Sequence, residues 1–437
     1  MRVVILGGGP AGFSAAVSAK RTGAEVILLE RMKMLGGIGF QAGMYVLHGA
    51  KVALTEHRAL GGGDLFDIYE SIAIMKGVFV QGLGDLSTYN IFKQDGMMQN
   101  VLKERGIEFM LQKNVLDIEV NGAKVEAAIL QGGERIEGDV FVDATGSTRG
   151  LGDCSKWGFG CVGCSFQCFV FGAPKAVIEK KVKTVAFQND YGHLIGKIGR
   201  LGTSVKIALG SLSEKVKREI IKKGWIQIPV PSGVKPNTER AKRTGQLDSG
   251  LYGDTGEEGG FSWNHLTLLN VGGVVKLTTV ACPLYARSLR SFPGLENSII
   301  LDPADGERGH MIHATSIALR DNALRVDGFE NLFCAGNKAG AAESLLDAMV
   351  TGELAGHNAV RKGLGHVCLE LPKTLAIGAF INHLGQMMRS EEGRKKTYGS
   401  LNTELLKSLK VFRESEEEII KEVENTGLKD VYKKKWC

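Results

Sequence analysis

The chain has 437 residues, 43% of them hydrophobic and 23% charged, with a formal net charge of +6. That length exceeds one ordinary core and predicts two or three domains, while the composition excludes a disordered or collagen-like chain. The charge is mild: it permits an acidic partner such as RNA and does not require one.

Glycine is abundant, 59 residues against 9 prolines, as expected of tight turns and close backbone approaches to a ligand. Val3-Val4-Ile5-Leu6 reads as a strand rather than a signal peptide, so a cytoplasmic location is expected. No apolar run approaches the roughly 18 residues of a membrane helix. Residues 10–22 read as a helix and 25–30 as a second strand, a βαβ opening. Helices are expected over 65–76 and 95–105, then strands at about 108–112, 114–120, 123–130 and 139–143. Strands between basic or glycine-rich loops follow, with a helix near 212–223 and an apolar strand at 273–281. The Rossmann pattern returns at 328–336 with a helix over about 341–361, and the remaining residues read as mainly helical and charged. The expected fold class is α/β: a two-part Rossmann-type FAD-binding domain with an inserted α+β domain and a C-terminal helical region. Its expected segments are 1–172, 173–295, 296–362 and 363–437.

Gly7-Gly8-Gly9-Pro10-Ala11-Gly12 fits G-x-G-x-x-G between a strand and a helix. Gly7 permits the tight turn, Gly9 lets the backbone approach a pyrophosphate, and Gly12 lets helix and strand pack closely. The helix that follows points its first N–H groups at the phosphates. Glu30 ends the second strand, placed to accept hydrogen bonds from adenosine ribose hydroxyls, with Arg31 beside it. FAD is favoured over NAD by three later features. Gly36-Gly37 follows the acid, as in many flavoproteins. Ala144-Thr145-Gly146 resembles the second glycine motif of two-dinucleotide flavoproteins. The strand ending at Gly336 and leading past Asn337 and Lys338 into a helix resembles their flavin-closing segment. That helix N-terminus is expected to stabilise an anionic reduced flavin. No second Rossmann site for NAD(P)H is evident; Gly158-Phe-Gly160-Cys-Val-Gly163 matches the motif but lacks a strand before it.

Four of the eight cysteines, Cys154, Cys161, Cys164 and Cys168, form C-x6-C-x2-C-x3-C. Four thiolates suit a 4Fe–4S cluster or a tetrahedral zinc, and Cys161 with Cys164 also suits a redox pair. Unligated core thiols are the remaining alternative. The reading carried forward is the iron–sulfur cluster, because the run follows Ala144-Thr145-Gly146 directly, where an electron relay with a flavin is useful.

Three segments resemble the tRNA-modifying flavoproteins that include GidA (MnmG) and the folate-dependent uridine methyltransferase TrmFO. They are Asn331-Leu-Phe-Cys-Ala-Gly336 with Gly352-Glu-Leu-Ala-Gly356-His-Asn358-Ala, then Ala281-Cys282-Pro283 with Ile299-Ile-Leu-Asp302-Pro303, and Leu371-Pro-Lys-Thr374-Leu-Ala-Ile-Gly378-Ala. The resemblance touches both ends of the chain and leaves roughly 175–270 uncovered. It implies FAD, and Cys282 as a nucleophilic or redox thiol; a buried packing cysteine is the other reading. Two departures stand out. Asn337-Lys338-Ala339-Gly340 replaces the family's Gln-Ile-x-Gly, and the first cysteine is Cys154, so the N-terminal catalytic cysteine expected of TrmFO has no counterpart. The cysteine run resembles instead a branch of NAD(FAD)-utilising dehydrogenases.

The expectation is therefore an FAD-dependent oxidoreductase with a 4Fe–4S cluster, NAD(P)H or folate being candidate co-reactants. The first alternative is a flavin- and folate-dependent modifier of tRNA or rRNA uridine. The second is a non-catalytic redox carrier or sensor. The substrate, small molecule or RNA, stays open, as does the electron donor, and a homodimer is the candidate assembly. His310 and His313 are candidate acid–base groups but read better as surface or packing residues, Cys334 reads as core, and Lys338 reads as either flavin-facing or solvated.

Overall fold

The computed structural model describes residues 1–37, 43–46, 50–80, 84–146, 181, 184–188, 205–234, 265–278, 286–302, 314–341, 344–395 and 401–436. Cys154, Cys161, Cys164, Cys168, Cys282, His310 and His313 lie outside them.

A five-stranded parallel sheet organises the molecule. Its strands are β1 (Arg2–Leu6), β2 (Glu25–Leu29), β6 (Glu108–Met110), β10 (Val140–Asp143) and β18 (Leu332–Cys334), in the order β18-β10-β1-β2-β6. The apolar runs of β1, β10 and β18 are buried along most or all of their length, as a sheet covered on both faces requires. Helix α1 (Pro10–Arg21) connects β1 to β2.

Helix α6 (Leu345–Gly363) lies against α1 at backbone distance. A Cβ at Gly352 would overlap the Ala11 carbonyl oxygen, and one at Gly356 that of Ala15. Ser18 Oγ donates to the Glu353 carbonyl at 2.8 Å across the same contact. Arg21 donates to Glu353 at 2.5 Å and pairs with Asp64, fixing the far end of α1.

Between β2 and β6 lie α2 (Ala50–Ala59), α3 (Asp64–Ser71), β4 (Ala73–Val80), β5 (Gly84–Tyr89) and α4 (Ile91–Glu104), with β3 (Met44–Val46) completing an antiparallel sheet in the order β3-β5-β4. The helix expected over 65–76 therefore stops at Ser71, and Ala73–Val80 is a strand. Met75 and Val80 are buried there against Leu86 and Leu269, a cross-strand packing that overrides local helical character. A second antiparallel sheet forms from β7 (Val115–Asn121), β8 (Lys124–Leu130) and β9 (Arg135–Glu137). Asn331 stitches it to β18, its Nδ2 donating to Val125 O and Asp139 O, each at 2.8 Å.

A separate core forms around a five-stranded antiparallel sheet. Its strands are β12 (Val205–Ala208), β13 (Trp225–Pro229), β14 (His265–Asn270), β15 (Val274–Thr278) and β16 (Ile300–Asp302), in the order β13-β14-β15-β12-β16. Helix α5 (Glu214–Lys223), capped by the Ser213 hydroxyl, buries Val216 and Ile220 in that core. Strands β11 (Thr184–Gln188) and β17 (Ala314–Ala318) pair antiparallel. C-terminal to α6, α7 (Ala376–Arg389) packs into the main core. Glu56 of α2 caps it, accepting from Ala376 N and Ile377 N, each at 2.7 Å. No helix among the described residues is long and apolar enough to cross a membrane.

Candidate functional site

The register of the parallel sheet brings four distant segments to one edge. Leu6 lies opposite both Leu29 and Asp143, and Asp143 lies opposite Cys334. The residues just beyond these strand ends are Gly7, Glu30, Ala144 and Ala335-Gly336. The carboxyl edge of such a sheet is where ligands of open α/β folds bind.

Gly7 has φ +99 and donates its N–H to Leu29 O at 2.7 Å, fixing a turn that other residues resist. A Cβ there would lie 2.5 Å from the Ala144 carbonyl oxygen, and one at Gly12 would overlap the Gly7 carbonyl. Gly9 differs. The nearest atom to a Cβ on it is Gly37 Cα at 3.9 Å, so the space beside Gly9 is open and bounded by another glycine backbone. Gly36 N donates to Gly8 O at 2.9 Å and holds that second wall in place. Helix α1 starts here with Gly9 as N-cap and no side-chain cap, and Pro10 has no N–H to satisfy. The first amides of α1, those of Ala11 and Gly12, therefore face an anion-binding position without competition from a capping side chain.

Glu30 is 5% exposed. Its Oε2 accepts from Gly8 N at 2.7 Å and its Oε1 from Met32 N at 2.8 Å. Burial raises its carboxyl above the usual range, and those two amides together with the Arg31 charge oppose the rise. Each carboxylate oxygen keeps a second acceptor position, so a ribose diol still finds its partner.

Asp143 is fully buried, and its Oδ1 accepts from Thr145 N at 2.9 Å and Thr145 Oγ1 at 2.6 Å, shaping the Ala144-Thr145-Gly146 turn. On the other side, Gly336 (φ +60) opens a short 3-10 turn, Gly336–Ala339, that Gly340 closes. Its N–H donates to Thr351 Oγ1 at 3.0 Å, and a Cβ on it would lie 2.9 Å from Ala11 Cβ. Asn337 is half-buried and Lys338 fully buried, so Lys338 is not a solvated lysine; its charge lowers the proton affinity of Asp143 against the effect of burial. Cys334 is buried, which pushes its thiol up to about 12, the value of an inert core cysteine.

One expectation changes. The helix expected from about 341 begins at Leu345, and a capping box closes its N-terminus. Ser344 Oγ accepts from Asp347 N at 3.0 Å, and Asp347 Oδ2 accepts from Ser344 N at 3.2 Å. The Asp347 carboxylate already answers the dipole of α6, so that end is not an open anion site. Sequence reading also missed Thr351, Asp143 and Arg320 as supports of the edge. Thr351 lies one turn beyond the capping aspartate among buried helix residues that also include Asp347, Glu353 and Asn358, so no local signal marks it. Among the described residues, no group of three or more His, Cys, Asp or Glu side chains could hold a metal.

The residues present fit FAD: a side-chain-free gap at Gly9 and Gly37, uncapped amides, a buried acid after β2, and a turn from β18 against α1. Comparison with known proteins agrees. Residues 2–149 match the family described as FAD dependent oxidoreductase. The chain is related to the FAD-dependent oxidoreductases. Residues 274–366 match a second family, Glucose inhibited division protein A. The fold is similar to that of GidA from Aquifex aeolicus, with TM-score 0.60, 17% identity, and coverage of 97% of this chain and 76% of that one. Among curated proteins, dihydrolipoyl dehydrogenase from Vibrio cholerae is 41% identical over 76 residues, 15% of this chain and 16% of that one. The TrmFO methylenetetrahydrofolate–tRNA-(uracil-5-)-methyltransferase of Koribacter versatilis is 30% identical over 99 residues, 23% of this chain and 22% of that one. The matched stretch thus spans less than a quarter of either curated relative.

Proposed function

We propose that the chain is an FAD-dependent oxidoreductase whose clustered cysteines, Cys154, Cys161, Cys164 and Cys168, hold a 4Fe–4S cluster. FAD supplies two-electron chemistry when bound, and the cluster supplies one-electron relay. The chain's own part is binding and orientation. Gly9 and Gly37 would leave room for the pyrophosphate, the first amides of α1 would neutralise it, and Glu30 would hold the ribose. Ala144-Thr145-Gly146 and the Gly336–Ala339 turn, with the half-buried Asn337, would border the flavin ring system. The single observation that carries this reading is the meeting of four strand ends around a gap free of side chains. The cysteine spacing, and its place directly after Gly146, support the cluster. Anaerobic purification tests both halves. The expected product shows flavin bands, broad absorbance near about 400 nm and about four irons per chain. Zinc alone, or four free thiols without metal, removes the relay. Protein that takes up no FAD removes the whole reading. Rapid flavin reduction by NAD(P)H, with turnover of a small acceptor, would identify the donor.

The likeness to the TrmFO methylenetetrahydrofolate–tRNA-(uracil-5-)-methyltransferase, beside the Glucose inhibited division protein A match over 274–366, supports a second reading, flavin- and folate-dependent modification of an RNA uridine with Cys282 as the catalytic thiol. Copurifying tRNA or bound folate is its expected signature, and loss of uridine modification in Cys282→Ser is its test.

A further inference from the structure

Arg320, just past β17, is 1% exposed and heads the largest fully buried side chains. Its guanidinium donates to backbone carbonyls: Nε to Ala339 O at 3.0 Å, Nη1 to Asp321 O at 3.0 Å and Nη2 to Ile381 O at 3.2 Å. The nearby carboxylates bond elsewhere, Asp321 to Arg325 at 3.2 Å and Asp327 to Arg389 at 2.9 Å. Burial lowers Arg320 to about 10, so it stays charged at neutral pH. Among the described residues no carboxylate hydrogen-bonds the guanidinium; burying a cation in that way is costly, and an apolar side chain would fill the space at less cost. Helix α7 makes room for it: a Cβ at Gly385 would lie 3.6 Å from Nη1 and 3.1 Å from Asn322 Oδ1. The arrangement is a socket that ties the Gly336–Ala339 turn to α7.

We infer that Arg320 is a positioning residue for the flavin: it fixes the turn carrying Gly336 and Asn337, and its buried charge favours the reduced, more negative form of the cofactor. The inference rests on the FAD reading above. It also fits the closure of the α6 N-terminus by Asp347: among the described residues, Arg320 and Lys338 are the buried cations beside this turn. Arg320 touches no reacting atom; it acts through Ala339.

The test uses the full chain, stripped of FAD and reconstituted, as wild type, Arg320→Met and Arg320→Lys. Flavin fluorescence gives the FAD dissociation constant, equilibration with redox dyes gives the midpoint potential, and thermal melting of the apo form reports the fold. In Arg320→Met, affinity for reduced FAD should fall tenfold more than affinity for oxidised FAD, a midpoint about 30 mV more negative. Arg320→Lys keeps the charge but cannot reach three carbonyls at once, so it should hold the potential near wild type while binding FAD more weakly. An unchanged potential in Arg320→Met, with only a lower apo melting temperature, would reduce Arg320 to packing and overturn the inference. If Arg320→Met does not fold, Gly385→Ala takes its place. That methyl would lie 3.1 Å from Asn322 Oδ1 and only at ordinary contact distance, 3.6 Å, from Nη1, and it keeps the charge, so it should leave the potential near wild type; a potential about 30 mV more negative in Gly385→Ala, with the guanidinium charge intact, would overturn the inference. A wild-type chain that takes up no FAD overturns the underlying reading, and a wild-type chain that binds FAD while the Arg320 variants match it overturns this inference alone.

Discussion

Gly9 and Gly12 are three residues apart and fail differently when given a methyl group. At Gly12 the methyl overlaps the Gly7 carbonyl, so strand or helix must move; Gly12→Ala should cost about 1–3 kcal/mol of apo stability and remove FAD binding. At Gly9 the nearest atom is 3.9 Å away. Gly9→Ala should therefore melt like wild type without cofactor yet bind FAD at least about tenfold more weakly, because the methyl fills the pyrophosphate gap. Apo melting and fluorescence titration of the two variants separate packing from binding. The glycine roles were legible in the sequence from their spacing. The support from Thr351 and Arg320 was not, since each acts on a residue distant in the chain, Gly336 and Ala339, and follows no local pattern; Asp143 bonds Thr145 only two residues on, and what the sequence does not show there is its full burial. Two buried histidines bear on pH. Burial lowers both His57 and His357 to about 3, helped for His57 by the Arg21 charge and for His357 by that of Arg361. The unfolded chain protonates near 6.5 and the folded chain does not, so stability is complete above about 6.5 and falls as pH drops toward 3. Both ring nitrogens of His357 are buried and have no hydrogen-bond partner among the described residues. His357→Leu should leave the melting temperature near pH 7.5 little changed and soften its decline between pH 6.5 and 5; an equally steep decline would contradict this assignment.

At the scale of elements, α7 depends on a carboxylate from another helix. Glu56 accepts from the first two amides of α7 and replaces a local N-cap, since Leu375 in that position has no side-chain acceptor. Glu56→Ala should cost about 1–2 kcal/mol in chemical denaturation. Burial raises the Glu56 carboxyl from 4.5 to about 7, so the folded chain holds a proton that the unfolded chain has lost. Stability from this group therefore decreases as pH rises from 4.5 to 7, opposite in sign to the histidines, and Glu56→Gln should remove that opposing slope. Strands β1, β2 and β10 could be read from their apolar runs to within a residue or so. The α3–β4 stretch could not, because Ala73 to Val80 joins a sheet through tertiary contacts that no local periodicity encodes. Helix α6 was placed about four residues early, because the small residues at 339–342 resemble a helix start while Ser344 and Asp347 supply the real one.

At the scale of the molecule, the sheet order brings Gly7, Glu30, Ala144 and Gly336 together although they are spread over more than 300 positions of the chain. Asn331 reinforces this by bonding β8 and the start of β10 from the first residue before β18. Asn331→Ala should loosen the β18 edge and lower FAD affinity several-fold, with the loss visible in amide exchange across β7–β9 as well as in the titration; unchanged exchange there would speak against the stitch. The nucleotide-binding half was legible because its motif is local and its strands are apolar. The cysteine run and Cys282 gave clear sequence patterns, but their placement lies outside the described residues. The most direct measurement of the central claim is a flavin fluorescence titration of the stripped full chain with FAD. Saturation at one FAD per chain, lost or greatly weakened in Gly9→Ala while its apo fold melts normally, is the predicted result. No uptake by the wild type, or equal uptake by both proteins, would contradict it.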